Sequence, residues 1–164
     1  MFKLKRLNPV FSLLLAVSLF QSLAFADVPD GSKPADPPKF ESWAVVGPDG
    51  GDVRTVAIDP RDKDRLYIST LDGQIHASSD AGKTWRLLVN LNEAEMVIDN
   101  LLVDARDSKL IYASGHRHKA PGGFFRTTDG GLTWKESKEL KNESIHALTQ
   151  SPSDPKTLYA GTTH

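Results

Sequence analysis

Short apolar runs separated by polar turns recur along the chain after residue 40. Val56 and Ile58 precede a turn rich in Asp, Arg and Lys, and the run Leu66–Ile68 follows that turn. β-Branched and aromatic residues bounded by such turns are typical of antiparallel strands. Further runs lie at Gln74–Ala77 and from Trp85 to Val89. Because no long stretch after residue 40 shows a 3.6-residue period, the pattern predicts an all-β chain.

The pattern repeats with a period of about 45 residues, which is the size of one supersecondary unit. Three segments align without gaps: VAIDPRDKDRLYIST, LLVDARDSKLIYASG and LTQSPSDPKTLYAGT. In this alignment Tyr67, Tyr112 and Tyr159 share one position, and Asp59, Asp104 and Ser151 share another. About four strands per unit are typical of the blades of a β-propeller. We therefore expect blades at about residues 43–90 and 91–140, and an incomplete blade at 141–164.

The turn before each tryptophan follows one pattern in both repeats, SSDAGKTW and TTDGGLTW. Its aspartate can accept hydrogen bonds from backbone N–H groups of its own turn, and its glycine can adopt positive φ without steric cost. The threonine favours a strand, and the tryptophan offers apolar area for packing between repeats. Because these residues recur once per repeat, we interpret them as structural turns: Ser78, Asp80, Gly82, Thr84, Trp85, Thr127, Asp129, Gly131, Thr133 and Trp134.

These two turns resemble the Asp-box, or BNR, repeat, which is written S/T-x-D-x-G-x-T-W. The resemblance covers about residues 43 to 164 and includes the segment GPDGGDVRTVAIDP before the first strand pair. It implies a β-propeller in which the box is a hairpin turn at the blade periphery, away from the ligand face. Photosystem II assembly/stability factor-like and sortilin-like propellers share this repeat style, so the resemblance implies a binding or assembly role.

The chain departs from the family in its length. Residues 41–164 hold about two and a half blades, whereas closed propellers have about 4 to 8. The third repeat ends at His164, where its Asp-box would begin. We therefore expect an N-terminal part of a longer propeller, with assembly of several copies into a ring as the alternative.

Sialidases and xyloglucanases also resemble this repeat style, which raises an enzymatic alternative. The Arg-Ile-Pro segment of sialidases does not occur in the sequence. Asp72 lies near the position of a xyloglucanase aspartate, but Leu71 splits the Thr-Asp pair of those enzymes, so we interpret Asp72 as a turn residue before Gly73. No phosphate-binding loop, Ser-His-Asp spacing or HExxH motif occurs. We expect no catalytic residue and no cofactor.

His116 and His118 lie in a segment four residues longer than its counterpart in the preceding repeat. Two histidines at i and i+2 can share a metal ion, but no neighbouring carboxylate or third histidine completes a recognisable ligand set. We interpret the pair as part of a solvated loop, together with Arg117 and Lys119, and predict no metal site.

The N-terminus has the features of an export signal. Residues 1–26 contain three early positive charges, an apolar run from Phe11 to Phe20 and an Ala-Phe-Ala sequence that ends at Ala26. About ten apolar residues are too few to cross a bilayer, which takes roughly 20, so a signal peptide is favoured over a membrane anchor. Residues 27–40 are rich in proline, which predicts an extended linker before the fold at 41–164.

Charge and cysteine content exclude several classes of function. The chain has 20 Lys and Arg, 21 Asp and Glu and no Cys, so its formal net charge is -1. This balance argues against nucleic-acid binding, and the lack of cysteine excludes a disulfide framework and Cys-ligated metals. We expect an exported protein, in a bacterial periplasm or outside the cell, without membrane contact after cleavage.

The function that the sequence favours is a non-catalytic propeller scaffold that binds a protein or a carbohydrate. Two alternatives stay open. One is the N-terminal part of a propeller glycoside hydrolase of the sialidase or xyloglucanase type. The other is a lectin-like protomer that completes its ring as a homo-oligomer.

Overall fold

The computed structural model describes residues 3–4, 44–48, 52–91 and 95–163. The chain divides into two units, one formed by residues 1–7 and 46–164 and the other by residues 8–45. Of the second unit only residues 44 and 45 are described, so the predicted linker, 27–40, lies outside the described residues. Among the described residues no helix has the length and apolar character needed to cross a membrane.

The first strand, β1 (Lys3–Leu4), is antiparallel to the last strand of the chain, with Lys3 opposite Thr162 and Leu4 opposite Gly161. These two residues are the only part of the predicted signal peptide, residues 1–26, that the structure describes. Export and signal cleavage therefore stay predictions.

Two four-stranded antiparallel sheets follow along the chain. In the first sheet, blade 1, the strands lie in chain order: β2 (Val53–Asp59), β3 (Asp62–Thr70), β4 (Gln74–Ser78) and β5 (Arg86–Asn90). The second sheet, blade 2, repeats that order: β6 (Met96–Asp104), β7 (Asp107–Arg117), β8 (Ala120–Thr127) and β9 (Lys135–Glu136).

A third sheet, blade 3, contains the antiparallel pair β10 (Ser144–Gln150) and β11 (Leu158–Thr163), with β1 on the outer side of β11. The first strands of the three sheets, β2, β6 and β10, lie next to one another, with β6 between the other two. The blades of a propeller surround a central channel. Because these three strands lie side by side where neighbouring blades meet, we call them the inner strands. The predicted all-β fold of four-stranded propeller blades is confirmed.

Blades 1 and 2 share one hydrophobic core. Ile75 of blade 1 and Met96 and Ile98 of blade 2 have no exposed surface, and Tyr67 and Phe125 are buried beside them. Burial of each large apolar side chain contributes about 1.5–3 kcal/mol relative to exposure. This contact fixes the position of β6 against β2.

Side chains also connect each blade to the next through backbone oxygens. Ser69 Oγ of blade 1 donates a hydrogen bond of 2.7 Å to the carbonyl oxygen of Ile98 in blade 2. Asn100 Nδ2 of blade 2 donates one of 3.2 Å to the carbonyl oxygen of Ile145 in blade 3. The first bond joins β3 to β6 and the second joins β6 to β10, so the inner strand of blade 2 is attached to both neighbouring blades.

The inner strands β2 and β6 differ in how far their equivalent apolar side chains are exposed. Val56 and Ile58 are each 58% exposed, whereas Leu101 and Val103, at the same positions of the repeat, are 8% and 4% exposed. The difference arises because β6 has a neighbouring blade on both sides and β2 has one only on the side of β6 among the described residues.

Candidate functional site

Each inner strand contains a β-bulge near its start. Near the start of each inner strand the pairing register with the next strand shifts by one residue, and the residues left out of the pairing there are Arg54, Asp99 and His146. These residues occupy the same position of the repeat. A bulge leaves its extra residue outside the ladder and turns that side chain in a new direction. The three blades therefore present three different polar side chains at one end of the inner strands, which we call the bulge end.

The three bulged side chains meet, and His116 joins them from the end of β7. Nη2 of Arg54 lies 3.3 Å from Oδ1 of Asp99. The second oxygen of Asp99, Oδ2, lies 2.6 Å from Nδ1 of His116 and 3.2 Å from Nδ1 of His146. The two imidazole rings are 4.7 Å apart between centroids. We call these four residues the bulge cluster.

The carboxylate of the bulge cluster is enclosed, while its partners reach solvent. The side chain of Asp99 is 10% exposed, and those of His116, His146 and Arg54 are 31%, 40% and 46% exposed. An ionised carboxylate only accepts hydrogen bonds, so an imidazole nitrogen that bonds to it carries a hydrogen. Asp99 therefore accepts hydrogen bonds from Arg54 and His116, and Nδ1 of His146 lies beside the same carboxylate at an accessible surface.

Two glycines allow the close packing that brings His116 to the cluster. Gly115 pairs with Ile98 beside the bulge, and a Cβ on Gly115 would lie 1.8 Å from the carbonyl oxygen of Val97. A Cβ on Gly122 would lie 2.3 Å from the carbonyl oxygen of Gly115. A larger residue at Gly115 would push β7 away from β6, and a larger residue at Gly122 would push β8 away from β7, so these glycines fix the position of His116.

The interpretation of His116 and His118 as one loop pair was wrong in two respects. The extra residues lengthen the β7–β8 hairpin, so His116 lies in β7, whereas His118 is exposed at the hairpin turn and lies outside the bulge cluster. A carboxylate and a further histidine do lie beside His116, but they come from β6 and β10. The signal that points to them is the shared repeat position of Asp99 and His146.

The first Asp-box forms the turn between β4 and β5. Asp80 accepts hydrogen bonds from the Thr84 backbone N–H (2.9 Å), from Thr84 Oγ1 (2.6 Å) and from Ser78 Oγ (2.8 Å). Ser78 Oγ in turn accepts from the Gly82 N–H, and Trp85 Nε1 donates to the Gly82 carbonyl oxygen. These hydrogen bonds lower the pKa of Asp80 to about 2. The Thr84 hydroxyl has the largest effect, then the Thr84 N–H and then the Ser78 hydroxyl.

The second Asp-box, between β8 and β9, repeats this network. Asp129 accepts from Thr127 Oγ1 (2.7 Å), the Thr133 N–H (2.9 Å) and Thr133 Oγ1 (2.6 Å), and Trp134 Nε1 donates to the Gly131 carbonyl oxygen. The hydroxyls of Thr127 and Thr133 hold the pKa of Asp129 well below its usual range. Both boxes lie at hairpins between the outer strands, on different blades. This geometry supports their interpretation as structural turns.

Asp72 lies exposed in the turn between β3 and β4. Its carboxylate accepts hydrogen bonds from the hydroxyl of Thr70 and, at 2.7 Å, from Nε2 of Gln74. Both partners flank the same turn, so these contacts support the turn interpretation of Asp72.

The opposite end of the inner strands, which we call the turn end, is buried and tied to the fold. Asp104 has no exposed surface and accepts hydrogen bonds from Arg106 Nε (3.0 Å), Arg106 Nη2 (2.8 Å) and Gln150 Nε2 (2.8 Å). The Arg106 guanidinium is the main cause that lowers the pKa of Asp104 to about 2. The equivalent Asp59 uses Oδ1 to accept from Ser108 Oγ of blade 2, while its buried Oδ2 has no hydrogen-bond partner.

A shallow groove of about 390 Å³ runs across the inner strands near the turn end. It is lined mainly by apolar side chains, among them Ile58, Pro60, Val103, Pro152 and Pro155. Apolar lining without converging charged groups offers burial but little directional recognition. The bulge cluster is therefore the stronger candidate for specific binding.

Comparison with known proteins relates the chain to two groups of propellers. No protein-family model matches the chain. A xyloglucanase of Acetivibrio thermocellus is 29% identical in an alignment of 110 residues. The match covers 57% of this chain and 13% of the enzyme. A probable oligoxyloglucan-reducing end-specific xyloglucanase of Neosartorya fischeri is 30% identical over 109 residues, which are 65% of this chain and 13% of that protein. The chain therefore spans about an eighth of the length of these relatives.

Solved structures with the same fold come from both groups. An ancestral GH74 enzyme matches with a TM-score of 0.58 and 21% identity, over 73% of this chain and 15% of the enzyme. YCF48 from Cyanidioschyzon merolae matches with a TM-score of 0.55 and 12% identity, over 71% of this chain and 37% of YCF48. The GH74 xyloglucanase from Xanthomonas campestris gives 0.52 and 20%, over 68% and 18%. The chain is partly similar to the propellers of GH74 xyloglucanases and of YCF48.

Proposed function

We propose that this chain is part of an exported β-propeller that binds a carbohydrate or a protein at the bulge end of its inner strands and does not transform it. The observation that carries the proposal is the bulge position itself, where the repeat keeps the backbone irregularity and changes the side chain from Arg54 to Asp99 to His146. Framework positions such as the tyrosines and the box residues do not change in this way.

The charges of the bulge cluster indicate what a ligand would offer. Arg54 has exposed guanidinium donors, and His116 and His146, whose Nδ1 atoms face the enclosed carboxylate, have Nε2 as the second ring nitrogen. In a neutral imidazole with its hydrogen on Nδ1 this second nitrogen accepts, so the surface favours ligands that both donate and accept hydrogen bonds, such as sugar hydroxyls and peptide groups. A carbohydrate is the first ligand to test, because the relatives at 29% and 30% identity are named as xyloglucanases.

The pKa values and hydrogen-bond partners of the carboxylates support binding without catalysis. Glycoside hydrolysis needs a carboxylic acid with a raised pKa beside a second carboxyl group. Asp80, Asp104 and Asp129 have lowered pKa values, and each is bound by donors of its own turn or of a neighbouring strand. Asp99 stands in the bulge cluster with nitrogen partners. These four carboxylates act as hydrogen-bond acceptors of the fold or of the cluster.

A second candidate function is that of a xyloglucanase, to which this chain would contribute blades. The sequence identity to named xyloglucanases favours it. One experiment separates the two. A xyloglucan oligosaccharide is titrated by calorimetry into the whole protein to which these blades belong, and the release of reducing ends is measured in the same samples.

Binding without release of reducing ends is the expected result, and Arg54→Ala should weaken that binding at least fivefold. Arg86→Ala is the matched control, because Arg86 is an exposed arginine of β5 outside the bulge cluster. Release of reducing ends would show a xyloglucanase and would contradict a binding scaffold without catalysis. Binding that both variants reduce equally, or no binding of either the oligosaccharide or a peptide library, would overturn the proposed site.

A further inference from the structure

We propose that Asp99, His116 and His146 bind one divalent transition-metal ion of the zinc class. The inference goes beyond the proposed function and does not depend on it. Within the part of the chain that the structure describes, these three residues form the one group of three or more His and acidic side chains whose donor atoms converge, all within 4.8 Å of one another.

The spacing of the donor atoms fits a shared ion. Zinc bonds to imidazole nitrogen and carboxylate oxygen are about 2.0–2.2 Å long, so neighbouring ligand atoms of a tetrahedral ion lie about 3.3–3.6 Å apart. Oδ2 of Asp99 lies 3.2 Å from Nδ1 of His146, which is close to this spacing, and 2.6 Å from Nδ1 of His116, a distance that must lengthen when an ion enters. The ion binds the lone pair of each Nδ1, and a hydrogen on that nitrogen moves to Nε2 or is released to solvent.

The donor set selects the class of ion. Two imidazole nitrogens with one carboxylate oxygen suit zinc, cobalt, nickel, copper and ferrous iron, whereas magnesium and calcium prefer sites built from oxygen atoms. The absence of cysteine from the chain leaves nitrogen and oxygen as the available ligands. We therefore expect zinc and cobalt to bind and magnesium and calcium not to bind.

The backbone holds two of the ligands in place. Asp99 and His146 are bulge residues of neighbouring inner strands, and β6 is fixed against β10 by the bond from Asn100 Nδ2 to the Ile145 carbonyl oxygen. The third ligand, His116, is fixed by the close backbone contact at Gly115. Ligands on rigid strands need little rearrangement on binding, which raises affinity.

Arg54 completes the site as an outer partner. Its Nη2 lies 3.3 Å from Oδ1 of Asp99, which leaves Oδ2 for the ion. Carboxylate ligands are commonly held by such outer hydrogen bonds. Three protein ligands leave a coordination position for water or for an oxygen of a bound molecule, as in zinc sites that are not purely structural.

The test uses the untagged full-length chain after removal of metal with a chelator. Zinc is titrated by calorimetry, and cobalt is added separately while its visible absorption is recorded. We expect one ion per chain and cobalt bands that zinc abolishes. Asp99→Ala, His116→Ala and His146→Ala should each weaken zinc binding at least tenfold, a loss typical of damage to a metal site.

The control is His118→Ala, which removes an exposed histidine only two residues from His116 and outside the cluster. It should leave zinc affinity unchanged. Far-ultraviolet circular dichroism checks the fold of every variant, and His146 is the safest ligand to replace because its side chain is 40% exposed. No heat and no cobalt bands would overturn the proposal, as would equal loss of affinity in His118→Ala and His146→Ala, which would indicate chelation by scattered surface histidines.

Discussion

The two ends of the inner strands are built on the same repeat but use it differently. At the turn end the repeat keeps the aspartate in blades 1 and 2, and Asp59 and Asp104 are buried within hydrogen bonds of the fold. At the bulge end the repeat keeps the backbone bulge and varies the residue, as Arg54, Asp99 and His146 show.

The difference separates the framework from the proposed binding surface within one strand. Asp59 and Asp104 have different side-chain partners, but each accepts a hydrogen bond from the backbone N–H two residues further on, at Arg61 and Arg106. A repeat that keeps this turn therefore also keeps the aspartate. A bulge constrains only the backbone and leaves the side chain free to differ between blades. Repeated geometry with different side chains is therefore the pattern expected where blades contribute different groups to one ligand.

The largest expected effect comes from breaking the backbone of the bulge end. Gly115→Ala adds a Cβ that would lie 1.8 Å from the Val97 carbonyl oxygen, so β7 must move away from β6. We expect the free energy of unfolding to fall by about 3 kcal/mol or more, at the upper end for overpacking. Urea unfolding measures it.

Gly161→Ala is the matched control for Gly115→Ala. Its added Cβ would lie 3.3 Å from the Cβ of Ala147, a contact that small shifts relieve. We expect a loss below about 1 kcal/mol there. Equal losses at the two glycines would show that the backbone at the bulge end is no more constrained than that of blade 3.

The next largest effect is expected at the turn end. Asp104→Ala removes the acceptor of Arg106 and Gln150 and leaves their donors without it, so we expect a loss of about 2–3 kcal/mol. Asp59→Ala should cost less, since Oδ2 of Asp59 makes no hydrogen bond. Urea unfolding of both variants compares them. A larger loss for Asp59→Ala would contradict the assigned partners.

Acid should weaken the turn end and the Asp-boxes. The pKa values of Asp104 and Asp80 are lowered to about 2, against about 3.9 for an unfolded aspartate. A lowered folded pKa stabilises the fold above the unfolded pKa, and this stabilisation is lost as pH falls from about 4 to about 2. Urea midpoints measured across this range should fall, less steeply in Asp80→Asn. A flat profile would contradict the hydrogen-bonded carboxylates.

The smallest effect on stability is expected from the side chains of the bulge end. Arg54 is 46% exposed and forms one ion pair, with Asp99, so Arg54→Ala should cost less than about 1 kcal/mol. Thermal unfolding measures it, beside the ligand titration in which the same variant should have its main effect. If Arg54→Ala lowered the free energy of unfolding as much as Asp104→Ala, the bulge end would belong to the structural framework.

The sequence predicts the repeated parts of the fold because an alignment of the repeats reveals the positions that they share. The tyrosine period and the two boxes locate the strands and hairpins, and Tyr67 and Tyr112 are buried as a blade core requires. The bulge cluster escaped prediction because its four residues come from four strands, β2, β6, β7 and β10, and are far apart in the chain. A bulge also shifts the alternation of faces by one residue, which a simple two-residue period cannot follow.

The bonds from Ser69 to Ile98 and from Asn100 to Ile145 also have a consequence for motion. They make each blade's opening depend on the blade beside it, so the molecule behaves as a row of coupled units in which disturbances fade with distance. Blade 2 has a coupled neighbour on both sides. Its inner-strand amides should therefore be the slowest to exchange hydrogen with solvent, and the segment around Asp99 should be the most rigid part of the proposed binding surface.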